Sequence, residues 1–509
     1  MNVERQLAKT IPLYPLLISL YPPLMLLAAN LGQVPLAETW RVMAGSLLFG
    51  LLVYGGLRLL LGNWSRAAIL SAFLLVLFFS YGHVYKLVEY REVMGIVLGR
   101  HRTVAAVWLA ITVLGGWLLL RRRQYPASIH QILNAVAGVL VLLAASQVVY
   151  PLARSEVRIR QLADNAEARL IDYTDVSGNL PDVYWIILDG YGRADALLED
   201  YHFDNSEFLD ALKGLGFVIP ECSMSNYPMT AFSLTATLQM NYQENFTPYN
   251  WQEDERKDYL THHYLLEHNP VRARLDALDY EIIAFQTEYW FANVLDADTY
   301  LARPPEPASK LTKYEQMYVC TTGLCPIFEA YLTYIRRNYG VPVDRYKYRY
   351  DEIQFTLEEL KKIPARDGRK FVMAHVLGPH DPFVMNAEGE YVEYGARREG
   401  YPQEVQYLNR RVLDIIQTIL EQSETPPVIV VQGDHGWEMH NRTKILNAYY
   451  LPGVADQVYA EITPVNTFRI ILNQYFGGTF ELLPDKSYGV GPRGLADFTL
   501  VEPSCASTP

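Results

Sequence analysis

The sequence predicts a multi-span α-helical membrane domain followed by an α/β domain whose mainly parallel central sheet is flanked by helices. Three observations lead to this fold class. Long apolar stretches are confined to residues 1–153, short apolar runs recur after residue 181, and a helical pattern separates some of those runs. Strands that alternate with helices are typical of a parallel sheet with crossover connections.

The charge of the 509-residue chain divides at the same boundary. Residues 1–153 contain 12 Lys and Arg against 4 Asp and Glu, a net charge of +8. The whole chain carries −12, so residues 154–509 carry −20. Phosphate backbones are held by surplus Lys and Arg, and nucleic acid is therefore not expected as a partner of this acidic part.

Five stretches in the first part approach the length of about 20 apolar residues that a bilayer core requires. They are residues 11–31, 42–62, 67–85, 103–120 and 132–153. An odd number of spans puts the chain ends on opposite sides, and the Lys and Arg distribution favours a cytoplasmic N-terminus. We expect a multi-pass protein of the cytoplasmic (inner) membrane whose second part is extracytoplasmic, either periplasmic or extracellular.

The second part divides further by composition. Residues 154–180 predict a juxtamembrane helix and linker, residues 181–488 the α/β domain, and residues 489–509 a loosely ordered tail. Within the α/β domain, the aromatic and charged segment 251–364 predicts helical decoration, with His262, His263 and His268 in solvent.

Short continuous apolar runs predict the strands of a buried parallel sheet. They are VYWIIL at 183–188, EIIAF at 281–285, FVMAHV at 371–376 and VIVV at 428–431. Apolar residues at 3.6-residue spacing between 405 and 419 predict the clearest helix.

Polar side chains follow three of these predicted strands, where open α/β sheets place their ligands. Asp189 follows the first run, His380 and Asp381 follow the third, which also contains His375, and Asp434 and His435 follow the fourth. Two carboxylates and an imidazole at adjacent strand ends suit a divalent metal such as Zn or Mn. Each motif alone also fits a simple turn or helix cap.

A nucleophile is expected near Thr230. A hydroxyl residue after Pro228, followed by Ala231, Leu234 and Leu238, predicts a loop that enters a helix. Free N–H groups and the helix dipole at such a position favour an anion. A hydroxyl bound to a metal there can ionise and attack phosphorus or sulfur. The alternative is that Thr230 is only a helix cap.

Cys320 and Cys325 are close enough in sequence for a small disulfide loop in an oxidising compartment. Two unpaired core thiols are the alternative. Zinc is less expected at this pair, because two further ligands at a suitable spacing are missing from the sequence.

Four motifs together resemble the alkaline phosphatase superfamily. They are LDG at 188–190, TAFSL at 230–234, GPHDPF at 378–383 and GDHG at 433–436. Within the superfamily they look like the sulfatase-like branch that contains lipoteichoic acid synthases and lipid A phosphoethanolamine transferases. Those enzymes also have about five spans ahead of an extracytoplasmic domain, so the resemblance covers nearly the whole chain.

The resemblance implies roles for individual residues. Asp189, Thr230, Asp434 and His435 would hold the metal, with Thr230 also the nucleophile. His380 and His375 would act as catalytic residues that bind or protonate the substrate. The remaining substrate-binding residues would be Asp381 and His440, the latter because relatives sometimes carry a further histidine after the GDHG motif; a surface histidine is the alternative.

The implied function is a metal-dependent transferase that moves a phosphoglycerol or phosphoethanolamine headgroup from a membrane lipid donor to an envelope glycan or lipid acceptor through a phosphothreonine intermediate. Two departures leave alternatives open. The formylglycine signature of sulfatases is absent around Cys222 and Thr230, and Asp189 stands where lipoteichoic acid synthases have Glu. A sulfatase-like hydrolase or phosphodiesterase is the second hypothesis, and a non-catalytic glycan-binding domain the third.

Overall fold

The protein is described from a computed structural model. It describes residues 11–89, 91–93, 96–97, 100–167, 173–176, 178–246, 258–304, 311–339, 346–392, 398–492, 494–503 and 505. The chain forms two compact units: residues 1–153 with 306–343, and residues 154–305 with 344–509. We call the first the membrane unit and the second the α/β unit, and describe each by itself.

Apolar helices form most of the membrane unit. They are α1 (Tyr14–Ala29), α2 (Trp40–Leu61), α3 (Trp64–Val88), α4 (His101–Arg121) and α5 (Ala127–Glu167), with a short hairpin of β1 (Glu92–Val93) and β2 (Ile96–Val97) before α4. The last 14 residues of α5 belong to the α/β unit.

Four helices in the described part of the chain are long and apolar enough to cross a membrane, and they correspond to the last four predicted spans. The first predicted span is different, because α1 has only 16 residues and contains Pro22 and Pro23. At about 1.5 Å per residue it is shorter than the roughly 30 Å hydrocarbon core. α1 is therefore not among these four helices, and a five-span domain stays a prediction.

Residues 306–343 belong to the membrane unit, although the sequence places them within the α/β domain. Here α12 (Lys313–Thr321) and α13 (Cys325–Tyr339) form a helical hairpin. Tyr314 is buried and donates a hydrogen bond from its hydroxyl to the Pro23 carbonyl at 2.6 Å, and Tyr318 donates to Ser46 Oγ at 2.6 Å. These two tyrosines attach the hairpin to α1 and α2.

The α/β unit contains a six-stranded sheet in the order β5-β4-β6-β3-β7-β8. Its strands are β3 (Val183–Leu188), β4 (Glu281–Phe285), β5 (Thr299–Leu301), β6 (Lys370–Val376), β7 (Val428–Gly433) and β8 (Asn447–Tyr450). All neighbouring pairs are parallel except β7 with β8. The four predicted runs are strands, and the predicted fold class is confirmed.

Helices cover both faces of this sheet, which is why β3 is apolar at every position and its neighbours β6 and β7 are mainly apolar. Alternate residues of β3 enter two separate cores: Val183, Trp185 and Ile187 lie in one, and Tyr184, Ile186 and Leu188 in the other. The first core is closed mainly by α8 (Thr230–Gln239), α11 (Pro270–Asp276) and α16 (Pro464–Tyr475), and the second by α6 (Ala194–Tyr201), α7 (Ser206–Gly214), α14 (Lys347–Leu360) and α15 (Gly400–Gln422).

The remaining helices of the α/β unit are short. They are α9 (Gln243–Phe246) and α10 (Tyr259–Glu267), with 3-10 turns at Trp290–Ala292, Ile363–Ala365 and Ala455–Gln457. His262 of α10 is buried at 1% exposure, so the expectation that it lies in solvent is wrong. Its imidazole packs edge-on against Phe232 and lies 3.2 Å from Thr235 Oγ1.

The C-terminal tail is more ordered than its composition predicts. β9 (Ser487–Gly491) and β10 (Gly494–Val501) form an antiparallel hairpin, and Phe498 packs against Tyr227 and Phe232. These contacts between aromatic rings therefore order part of the tail that the sequence predicts to be loosely ordered. The linker predicted at 154–180 lies partly outside the described residues.

The structure pairs Cys222 with Cys505. Cys320 and Cys325 form no disulfide, so of the two alternatives that the sequence left open for this pair the disulfide loop is not the one observed. The bonded cysteines are 283 positions apart, so only the folded chain brings them together. The bond fixes the end of the tail beside the segment that leads to α8.

We expect Cys505→Ser to lower the free energy of unfolding by about 2–4 kcal/mol, because the bond closes a long loop in the unfolded chain. Urea unfolding of the full chain in detergent, followed by tryptophan fluorescence, measures the change. A phosphine reductant should lower the stability of the wild type similarly and leave the variant unchanged. Equal urea midpoints for oxidised wild type and variant would contradict the bond.

Candidate metal centre and active site

The carboxyl ends of three parallel strands bring the predicted acidic residues together. Leu188, the last residue of β3, lies opposite Val376 of β6 on one side and Gly433 of β7 on the other. Asp189 and Asp434 are each the next residue along the chain. Because the strands are parallel and in register, both side chains project from the same edge of the sheet.

Gly190 shapes the turn after Asp189. Its φ of +78° lies in the left-handed region, and an added Cβ would lie 3.0 Å from the Pro379 carbonyl oxygen. The Gly190 N–H donates to Asp434 Oδ1 at 2.9 Å, and its carbonyl accepts from the Tyr401 hydroxyl at 2.8 Å. A glycine is therefore needed here for both backbone conformation and close approach.

Asp189, Asp434 and His435 form a compact group of metal-ligand side chains. One ligand atom from each lies within 4.8 Å of the others, and all three residues are buried. His435 Nε2 is 3.4 Å from Asp434 Oδ2 and 3.8 Å from Asp189 Oδ1. The other ring nitrogen lies 3.0 Å from the Gly436 carbonyl, which favours the tautomer that leaves Nε2 available to a metal.

Three buried oxygens of this group have no hydrogen-bond donor in the described part of the chain. They are both carboxylate oxygens of Asp189 and Oδ2 of Asp434. A buried carboxylate without a donor is costly, and two such carboxylates also repel each other. A divalent cation between them would satisfy both, so the residues present fit a Zn or Mn site.

The protonation states follow from burial and neighbouring charges. Burial raises the pKa of Asp189, but His380, His375 and His435 outweigh it and hold that pKa well below its usual range. Burial and the Asp189 charge raise the pKa of Asp434 to about 6. Burial and Arg442 lower the pKa of His435 well below its usual value, which favours the neutral form that binds metals.

Thr230 is the first residue of α8 and is only 7% exposed. The residue before it, Met229, is extended, so the chain enters the helix at Thr230 itself. Thr230 Oγ1 lies 3.2 Å from His435 Nε2. The structure thus brings the predicted nucleophile to the predicted ligand group, at a helix N-terminus whose dipole favours an anion.

The two predicted catalytic histidines occupy different positions. His375 is buried within β6, and its Nε2 lies 3.2 Å from Asp189 Oδ2, so it contacts the proposed ligand. His380 has a partly exposed side chain, with Nε2 3.9 Å from Asp189 Oδ1 and its ring edge-on to Trp437. Of the two, His380 is the one that a substrate from solvent can reach.

Two other predicted substrate-binding residues are not part of the ligand group. The side chain of His440 is 60% exposed and its Nε2 lies 2.8 Å from Asp200 Oδ1. His440 therefore lies at the surface beside Asp200, and its part in substrate binding stays a prediction. At Asp381 the contacts are made by the backbone carbonyl, which accepts from Arg349 Nη1 at 2.6 Å and lies 2.7 Å from His380 Nδ1.

Arg442 is a site residue that the sequence analysis missed. Its guanidinium donates to the Pro228 and Trp437 carbonyls at 2.8 and 3.1 Å, and Nη2 lies 3.3 Å from His435 Nε2. No spacing rule selects it, but it is a cation seven positions after His435 in an acidic domain. The two carbonyls fix its guanidinium beside the proposed metal ligand.

No family model and no curated protein matches this chain. Solved structures with some likeness include the zinc complex of the C-terminal periplasmic domain of EcEptC from Escherichia coli, with 12% identity, TM-score 0.41 and coverage of 65% of this chain and 95% of that one. The integral membrane lipooligosaccharide phosphoethanolamine transferase A from Neisseria meningitidis has 12% identity, TM-score 0.39 and coverage of 91% and 95%.

A third structure is the phosphonate monoester hydrolase of Agrobacterium radiobacter, with 13% identity, TM-score 0.36 and coverage of 61% of this chain and 80% of that one. Likenesses at these scores do not assign an activity.

We expect Asp434→Asn to weaken Zn²⁺ or Mn²⁺ binding at least tenfold, because it removes an anionic ligand from the buried group. Competition with a metal indicator on the chelated full chain measures the affinity. His440→Ala is the matched control and should bind metal like the wild type. Equal affinities for the wild type and Asp434→Asn would contradict this site.

Proposed function

We propose that this protein is a membrane-anchored, metal-dependent transferase that moves a phosphoglycerol or phosphoethanolamine type of headgroup from a phospholipid to an envelope glycan or lipid. The main observation in support is that Thr230 Oγ1 lies 3.2 Å from His435 Nε2, at the start of α8. A hydroxyl nucleophile, an anion-binding helix end and a set of unsatisfied metal ligands meet at one edge of the sheet.

Asp189, Asp434 and His435 would hold the metal together with Thr230. A bound Zn²⁺ or Mn²⁺ would favour the ionised form of the Thr230 hydroxyl and offset negative charge on the phosphate. The α/β unit belongs to a part of the chain that carries −20, so its overall field does not attract an anionic headgroup. Local positive charge must therefore come from the metal, the helix end and Arg442.

In the proposed first step, Thr230 Oγ1, which has lost its proton to solvent, forms a bond to phosphorus as the bond from phosphorus to the diacylglycerol oxygen breaks. His380 donates a proton to the departing oxygen, and Arg442 contacts the phosphoryl oxygens. In the second step the oxygen of an acceptor hydroxyl forms a bond to phosphorus and gives its proton to His380, while the bond from phosphorus to Thr230 Oγ1 breaks. The group is thereby transferred, and Thr230 returns to its starting state.

Two observations support an extracytoplasmic site near lipid. The four long apolar helices would hold the chain in a bilayer where phospholipid donors are concentrated. The Cys222–Cys505 disulfide belongs to the α/β unit, and disulfides persist in oxidising compartments such as the periplasm or cell surface. We therefore place the catalytic part outside the cytoplasm.

A covalent adduct on Thr230 is the sharpest test of this function. With a phospholipid donor and no acceptor, we expect the intact mass of the full chain to increase by the phospho-headgroup, and peptide mapping to place it on Thr230. Thr230→Ala should form no adduct while still binding metal through the other ligands. Turnover by the wild type without any adduct on Thr230 would overturn the covalent step.

The products distinguish transfer from hydrolysis. A transferase yields the modified acceptor, whereas a hydrolase acting through the same residue releases the headgroup phosphate when no acceptor is present. Rapid release of headgroup phosphate, unaffected by added glycan or lipid acceptors, would assign the site to a hydrolase.

We expect Arg442→Gln to lower kcat/KM by about 10²–10³-fold, the usual effect of removing one donor aimed at developing negative charge. Steady-state kinetics with a phospholipid donor measures the effect. Arg442→Lys should retain more activity because it keeps the charge, and Arg469→Gln, in α16, is a control for loss of a half-buried arginine. An unchanged kcat/KM in Arg442→Gln would remove Arg442 from the site.

A further inference from the structure

The described part of the membrane unit contains a second group of metal-ligand side chains. His101 begins α4, Cys325 begins α13, and Glu329 lies one turn further along α13. One ligand atom from each of the three lies within 4.8 Å of the others. His101 Nε2 is 2.8 Å from Glu329 Oε2, and Cys325 Sγ is 3.6 Å from Glu329 Oε1.

Cys320, in the neighbouring helix, would supply a second thiolate to this group. Neither Cys320 nor Cys325 forms a disulfide. Cys320 lies in the last turn of α12, and the Cys325 N–H donates to the Thr322 carbonyl at 3.1 Å, which closes the turn between the helices. Cys325 and Glu329 are four residues apart and therefore share one face of α13.

Neighbouring residues hold these side chains in place. The Tyr81 hydroxyl lies 3.1 Å from His101 Nδ1, and the Tyr85 ring stacks on the imidazole at 3.8 Å. These contacts orient the His101 ring so that Nε2 faces Glu329. Metal-binding histidines are commonly held in this way, by a hydrogen bond to the ring nitrogen that does not bind the metal. The α12 end also packs directly on α3: a Cβ at Gly82 would lie 2.1 Å from the Cys320 carbonyl oxygen.

We propose that His101, Cys320, Cys325 and Glu329 form a structural Zn²⁺ site that attaches the α12–α13 hairpin to the apolar helices of the membrane unit. Two thiolates, one imidazole and one carboxylate are the ligand types and the number that a closed tetrahedral zinc site uses. The thiolates distinguish this site from the proposed catalytic centre, whose ligands are oxygen and nitrogen, and they favour zinc over Mn²⁺ or Mg²⁺.

The site has a route for the ion and a structural consequence. Cys325 is buried, whereas the Glu329 side chain is 48% exposed, so an ion can enter from the carboxylate side. Binding would release the thiol protons and join α12, α13 and α4 at one point. The hairpin also contacts α3, because the Gly323 N–H donates to the Phe78 carbonyl at 2.8 Å.

Cobalt substitution tests this site separately from the catalytic centre. The full chain is purified in detergent without oxygen, stripped of metal and titrated with Co²⁺. We expect a near-ultraviolet thiolate-to-cobalt charge-transfer band that saturates at one ion per chain and disappears on addition of Zn²⁺. Cys222 and Cys505 are bonded to each other and do not contribute to the band.

Variants then assign the ligands. Cys325→Ser and Cys320→Ser should each weaken or abolish the band, and His101→Ala and Glu329→Gln should lower cobalt affinity at least tenfold. Thr333→Ala, one turn beyond Glu329, is the matched control and should leave the band unchanged. Asp434→Asn should also retain it, because that residue belongs to the other centre.

Three results would overturn the proposal. They are a Cys320–Cys325 disulfide in the protein as isolated, the absence of a thiolate band when both thiols are reduced, and a band that persists in Glu329→Gln and His101→Ala with unaltered affinity. A cysteine variant that fails to fold also loses cobalt binding at the proposed catalytic centre, which has no sulfur ligand, and it is recognised by that loss. The folded Glu329→Gln and His101→Ala variants then decide the outcome.

Discussion

The α/β unit depends on one electrostatic constraint: two carboxylates are buried side by side at the ends of neighbouring strands. Asp189 and Asp434 follow residues that are paired in the sheet register, so neither can move away without breaking the strand pairing. Three histidines and Arg442 lie around them, and backbone N–H groups satisfy only Oδ1 of Asp434. A divalent cation would relieve the remaining repulsion, and in the proposed site Thr230 Oγ1 would then lie beside that cation.

Much of this unit was predictable because its signals are local. A strand buried on both faces must be a continuous apolar run, and the polar residues that end β3, β6 and β7 mark where the chain leaves the core. Thr230 was predicted for the same reason, since a loop that enters a helix has a sequence signature. These features depend only on a few successive residues, and the structure brings their side chains together as the parallel topology requires.

The features that the sequence did not predict are non-local. Cys222 bonds to a residue at the far end of the chain, whereas spacing alone favoured the nearby pair Cys320 and Cys325. His262 is buried because Phe232, in a different helix, packs on it. Arg442 and the packing of the α12–α13 hairpin in the membrane unit were missed likewise, because neither hydropathy nor motif spacing indicates which distant surface a side chain will contact. Contacts of Phe498 with Tyr227 and Phe232 also order part of the C-terminal tail, whose composition suggested a loosely ordered segment.

The order of strands in the sheet has a consequence for biogenesis. β3 is the first strand of the sheet to be synthesised, yet both of its neighbours, β6 and β7, come much later in the chain. During synthesis Asp189 and Thr230 therefore emerge long before Asp434 and His435 exist to complete the group. The proposed nucleophile has no complete ligand set until nearly all of the α/β unit has been synthesised.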